Sequence, residues 1–199
     1  MTQITDNKTR LFITWTLWST LLIPGGAGLG LLAAITFEGA FVNGYNGGEP
    51  PVLLGIANYC IIMSILGAII SLMQWLLLRR KIGLSALWIL ACVGGFIIGE
   101  TVAGWILWKL DISRGDLGWA QGGSILAEAL IFTFSGALIG LFQYPLLKKV
   151  YYKAEMWIVV SAIAWGLVPL GIFIFGGLAL GAITGATLIW ILQLKEERR

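Results

Sequence analysis

The chain has 199 residues, 58% of them apolar and 12% charged, with a formal net charge of +3 and a mean hydropathy of +0.90. A soluble domain of that size needs a polar shell, which so few polar residues cannot build. The charges fall in short clusters between long apolar runs. Runs of about 20 apolar residues carry a helix across the hydrocarbon core, so the composition points to an all-α polytopic membrane protein and excludes a soluble basic face for nucleic acid.

The first span is expected over residues 11–37, after a polar start carrying Lys8 and Arg10. No small-residue cleavage site sets it apart as a signal peptide. Proline removes a helix hydrogen bond and glycine adds backbone freedom, so Pro24, Gly25 and Gly26 read as a hinge, with a kink or local unwinding. Residues 38–51 are dense in turn formers and read as a loop, with Glu38 solvated. Span two covers 52–78 and stops at Arg79-Arg80-Lys81, and span three covers 84–108. A loop follows to residue 122, with Trp119 at headgroup level. Spans four, five and six cover 123–147, 154–175 and 177–194, the last two joined tightly through Gly176-Gly177. Cys60 and Cys92 fall in opposite halves of the bilayer on this topology, and read as small apolar residues rather than a disulfide.

Orientation follows from positive charge. With the N-terminus cytoplasmic, only Lys109 and Arg114 of the 13 Lys and Arg fall outside. Six spans with both termini cytoplasmic therefore satisfy the positive-inside rule, in a bacterial inner (plasma) membrane or a thylakoid membrane.

Residues 67–79 and 136–148 match at seven of thirteen positions, 69 residues apart. In a helix, Gly67, Ser71 and Gln74 share a face, as do Gly136, Gly140 and Gln143. In lipid such a face packs closely and its glutamine hydrogen-bonds across the contact. Trp88 and Trp157 each follow their glutamine by fourteen residues, so spans two-three and four-five read as parallel copies of one hairpin. Gly181 and Gly185 begin a third copy with Leu188 at the glutamine position. Span one, with Trp15 or Trp18, is its expected partner, which makes three pairs around a pseudo-threefold axis. Parallel copies disfavour the inverted-repeat transporter design.

The Gly-x-x-x-small-x-x-Gln-aromatic-x-Leu-Leu-basic ending, with a tryptophan opening the next helix, resembles uncharacterised small multi-pass membrane proteins of bacteria, cyanobacteria especially. The resemblance covers roughly residues 60 to 170 and implies a membrane fold but no activity.

Ionisable groups inside a membrane are costly and read as functional. Glu100 in span three and Glu128 in span four are expected at similar depth in the outer half, with Asn58 in the same layer. Trp105 and Trp165 lie deep enough to line a pocket, with core packing as the other use for such rings. Most other tryptophans, among them Trp75, Trp88, Trp108, Trp157 and Trp190, fit an aromatic belt. The chain has no histidine, which removes His-metal sites and Ser-His or Cys-His pairs. No enzyme chemistry, metal or cofactor is expected.

Two functions remain. One is binding or transport of a small solute or cation through an outward-facing acidic pocket at Glu100, with Glu128, Asn58 and Trp105. The other is a non-catalytic scaffold or assembly subunit docking partner helices, or a second copy, through its glycine faces. Beyond such a partner, only the lipid bilayer is implied.

Overall fold

A computed structural model describes residues 2–42, 52–109, 125–151, 153–171 and 174–196. They form helices α1 (Thr2–Val42), α2 (Val52–Ile82), α3 (Leu87–Lys109), α4 (Ile125–Lys148), α5 (Met156–Gly166) and α6 (Ile174–Glu196), with a 3-10 turn at Pro169–Gly171. Each helix packs on its neighbours in the chain, and α1 packs on α6, closing the six into a ring. Of the loops expected over 38–51 and 109–122, residues 38–42 continue α1 and Lys109 ends α3; the remainder, with Trp119, lies outside the described residues, as does Glu38's side chain.

The helices carry apolar residues all round. On α2, Leu66, Ile70 and Leu78 are buried while Leu72 and Leu76 are exposed, and on α1 Trp15 and Ile23 are buried while Leu21 and Leu32 are exposed. A helix apolar on every side belongs in a large core or in lipid. Lys8–Phe37, Cys60–Ile82, Glu128–Lys148 and Ile174–Ile191 are long and apolar enough to cross a membrane, and Leu87–Ala103 and Met156–Gly166 are shorter apolar helices. The chain is thus compatible with an integral, multi-pass membrane protein.

Side chains fill the middle of the ring in two layers. Near the basic ends of α2 and α4, Trp15, Trp88, Trp157, Leu78, Leu147 and Leu188 pack together. Further along, Ile23, Leu66, Phe96, Ile139, Trp165 and Leu180 form the second layer. The expected packing faces point into this ring: an added Cβ would meet Phe96 at Gly67, Ser161 and Trp165 at Gly136, Ile158 at Gly140, Thr16 at Gly181, and Trp15 and Phe12 at Gly185.

Three further segments differ from the sequence reading. First, α1 runs helical through Pro24, Gly25 and Gly26, without the local unwinding expected there. Pro24 and Gly25 are exposed, whereas Gly26 and Gly30 pack on α2, where a Cβ at Gly30 would fall 2.8 Å from the Cα of Ile62. Close approach to α2 thus explains Gly26 and Gly30. Second, α5 stops at Gly166 instead of continuing to residue 175. Pro169 lacks an N–H and disfavours helical geometry at the residue before it, and the chain tightens through a Val168 N–H bond to the Trp165 carbonyl. Third, Gly176 and Gly177 are no joint but lie inside α6, packed against Val168 and Thr20.

An alanine scan of the glycines checks this arrangement by thermal unfolding in detergent. A Cβ at Gly136 would lie 2.6 Å from the Ser161 carbonyl oxygen, while one at Gly25 meets nothing within 4 Å. Gly136→Ala should lower stability by about 1–3 kcal/mol, and Gly25→Ala should leave it unchanged or slightly raised.

Candidate functional site

Two sets of polar groups inside the ring bear on function. The first joins neighbouring helices near the basic end. Trp88 Nε1–H donates to Gln74 Oε1 at 3.1 Å, and Trp157 Nε1–H donates to Gln143 Oε1 at 2.7 Å. Each pair spans fourteen residues, linking α2 to α3 and α4 to α5. The rings of Trp88 and Trp157 meet at 5.7 Å. Both indoles are fully buried, so they belong to the centre of the molecule and not to the aromatic belt.

Trp15 Nε1–H donates to Thr184 Oγ1 at 2.9 Å, joining α1 to α6. The sequence pattern does not mark Thr184, because the glutamine position itself is occupied by Leu188. Thr184 sits one turn earlier, at the place of Ile70 and Ile139, and its hydroxyl in turn donates to the Leu180 carbonyl. Of the two tryptophans on α1, Trp15 takes the internal position and Trp18 is exposed. Ser71, the small residue between Gly67 and Gln74, donates to the Gly67 carbonyl of its own helix.

The second set is acidic. Glu100 and Glu128 are 1% and 3% exposed, deep burial for carboxyl groups. Glu100 lies one turn beyond Phe96, whose ring stands edge-on to Trp165 at 4.7 Å. The register between α3 and α4 is set by Gly95 against Ile139 and Gly99 against Ser135. Running antiparallel, this register places Glu100 level with residue 134 and Glu128 level with residue 106. Six residues of helix rise, about 9 Å, therefore separate the two carboxyls. Their side chains lean toward opposite helix N-termini, which widens the gap. They are not the same-depth pair expected.

Asn58 is half-buried on α2. Cys60, two residues on, approaches Thr101 Oγ1 at 3.6 Å, so Asn58 lies about one turn beyond Glu100. Trp105 does not join the layer: it is 55% exposed, with Lys109 Nζ 5.9 Å from its ring centroid. The deeper ring is Trp165, buried in the core.

Two further features lie near the level of Glu100. Ser135, fully buried, packs against Gly99 and has no hydrogen-bond partner for its Oγ among the described residues. Gly166, the last residue of α5, packs on Thr133, within one residue of Glu100's level on α4. The helix thus stops at the depth of the buried carboxyl, with the 3-10 turn beyond it. Ser135 could have been found as a small polar residue seven positions after Glu128. Among the described residues no three His, Cys, Asp or Glu side chains converge.

At the basic end, a cleft of about 520 Å³ is lined by Tyr144, Lys148, Lys149, Val150, Tyr151, Lys153 and Glu155. Burial pushes the pKa of the Tyr151 phenol up to about 12. A second, apolar cleft of about 380 Å³ lies between α1 and α2, lined by Trp18, Leu22, Ile69, Leu72, Met73, Leu76 and Leu77. Neither includes Glu100 or Glu128.

Compared with protein-family models, with curated proteins and with solved structures, the chain matches none.

Two measurements check the geometry. Gln143→Leu leaves a buried indole N–H without its acceptor and should cost about 1–3 kcal/mol. Adding Trp157→Phe removes that orphan donor, so the double variant should be more stable than the sum of the singles predicts; strict additivity would show that the bond is not made. For Tyr151 the folded state favours the neutral phenol. Its contribution to stability is therefore full below pH 10 and lost as pH rises through about 12. Ultraviolet titration should show a late-ionising tyrosine that is absent from Tyr151→Phe.

Proposed function

We propose that the protein is a six-span membrane protein that binds a proton or monovalent cation at Glu100, as a binding or transport component for a small solute or cation. In this reading the helices form three pairs, α2–α3, α4–α5 and α6–α1, all crossing the bilayer in the same sense. Both termini and the basic turns face the cytoplasm, as the distribution of Lys and Arg supports. The membrane is a bacterial inner membrane or a thylakoid membrane.

The observation that carries the binding site is the coincidence of a buried carboxyl with the broken end of a helix. An 11-residue α5 rises only about 16 Å, roughly half of the hydrocarbon thickness. Non-helical backbone at that depth is tolerated where protein covers it or where it lines a polar cavity. The C-terminal end of α5 carries the negative pole of its dipole toward the level of Glu100, and transporters use such half-helix ends to hold monovalent cations and protons. Glu100, the Ser135 hydroxyl and backbone carbonyls at the end of α5 are the proposed donors. Glu128, farther toward the outer rim, and Asn58 form the approach. The scaffold reading needs glycine faces turned to lipid; Gly67, Gly136, Gly140, Gly181 and Gly185 are instead occupied by helices of the same chain.

Cation-dependent thermal stability tests the proposal, because a ligand that binds only the folded state raises the melting temperature with concentration. Sodium, potassium and pH titrations of the purified protein should produce such a shift. Glu100→Gln should abolish it together with uptake into proteoliposomes, and Glu155→Gln should leave both intact. A shift that survives Glu100→Gln removes Glu100 from the site.

A further inference from the structure

We infer that the cleft at the α4–α5 turn is a binding site for the phosphate headgroup of an anionic lipid. This rests on the membrane reading above but not on the cation site at Glu100. Three lysines, Lys148, Lys149 and Lys153, line the cleft with one acidic residue, Glu155, a net excess of two positive charges. Tyr144 and Tyr151 complete the wall. Such basic pockets at the ends of membrane helices take anionic headgroups.

Two details separate this cleft from an ordinary solvated charge cluster. Lys153 holds a left-handed backbone conformation, φ 64°, which is strained for a residue with a side chain. Its Nζ lies 5.7 Å from the Trp190 ring centroid on α6, so the ammonium is directed across the α5–α6 side of the bundle. At the α2–α3 turn the left-handed position belongs to Gly83, which carries no charge. The second detail is what lies above the cleft. Leu141 and Pro145 on α4, and Met156 and Val159 on α5, are exposed, so an apolar surface continues directly from the basic rim. A phosphate carried on acyl chains fits both surfaces, whereas a free phosphate uses only one.

Native mass spectrometry of the full chain in detergent tests the assignment, with phosphatidylglycerol and phosphatidylcholine of identical chains as probes. Phosphatidylglycerol should be retained preferentially. Lys148→Gln/Lys149→Gln/Lys153→Gln should reduce that retention on the order of tenfold or more, while Arg79→Gln/Arg80→Gln/Lys81→Gln, an equal charge loss at the other turn, should have little effect. Equal losses in the two triple variants would mean diffuse surface charge and overturn the site. Displacement of the lipid by inorganic phosphate would overturn the lipid assignment. If the first triple variant does not fold, acetylation of the native chain decides: phosphatidylglycerol should protect Lys153 and phosphatidylcholine should not, and absence of protection counts against the site. Failure of the membrane reading shows separately, as a chain that does not float with vesicles.

Discussion

A buried indole N–H has no water to turn to, and in this ring three of them find acceptors on the neighbouring helix. Trp88 reaches α2, Trp157 reaches α4, and Trp15 reaches α6. Each bond is modest in net energy, but leaving any one unmade costs the full desolvation of the donor. The requirement is therefore strict about register: a slide of one residue along any of these seams strands a polar group in an apolar core. The bond from Trp15 to Thr184 joins residues 169 apart, and the contact of α1 with α6 makes the arrangement a ring instead of an open row.

Fixing the basic end in this way leaves the other half free to differ. There the rings of Phe96 and Trp165 close the core, and beyond them α3 and α5 differ. α3 continues past Phe96 to the buried Glu100, whereas α5 ends one residue after Trp165 and turns at Pro169. A ring of six full-length helices would surround that carboxyl with side chains on every side. The early end of α5 instead places the 3-10 turn of Pro169–Gly171 just beyond that level. The two ends of the bundle thus present different chemistry: hydrogen-bonded aromatic core near the basic turns, and carboxyl, hydroxyl and broken helix farther away.

Much of the architecture was legible because it depends on local composition. Apolar runs and their basic stops located the helices to within a few residues at most ends, and the glycine stripes of α2 and α4 marked the faces that meet α3 and α5. What misled was the use of punctuation residues as if they acted alone. Pro24 and Gly25 read as a hinge, yet α1 stays helical through them and Gly26 is used for contact with Leu66 of α2. Gly176 and Gly177 read as a turn and are interior helix positions, while the break came at Gly166. Trp88 and Trp157 read as interfacial from their distance to the helix ends, but their partners at Gln74 and Gln143 hold them inside.

The amino-acid order by itself determined that the chain is helical and apolar, where its charges cluster, and which small residues permit close contact, since these follow from hydrogen bonding and burial within single segments. Only the tertiary structure decided that Thr184 replaces a glutamine as acceptor for Trp15, that Trp105 faces outward, and that Glu100 and Glu128 sit about 9 Å apart along their helices. These outcomes depend on the register between helices, which is set by the summed fit of Gly95 to Ile139 and Gly99 to Ser135 across the seam. No single helix contains that information.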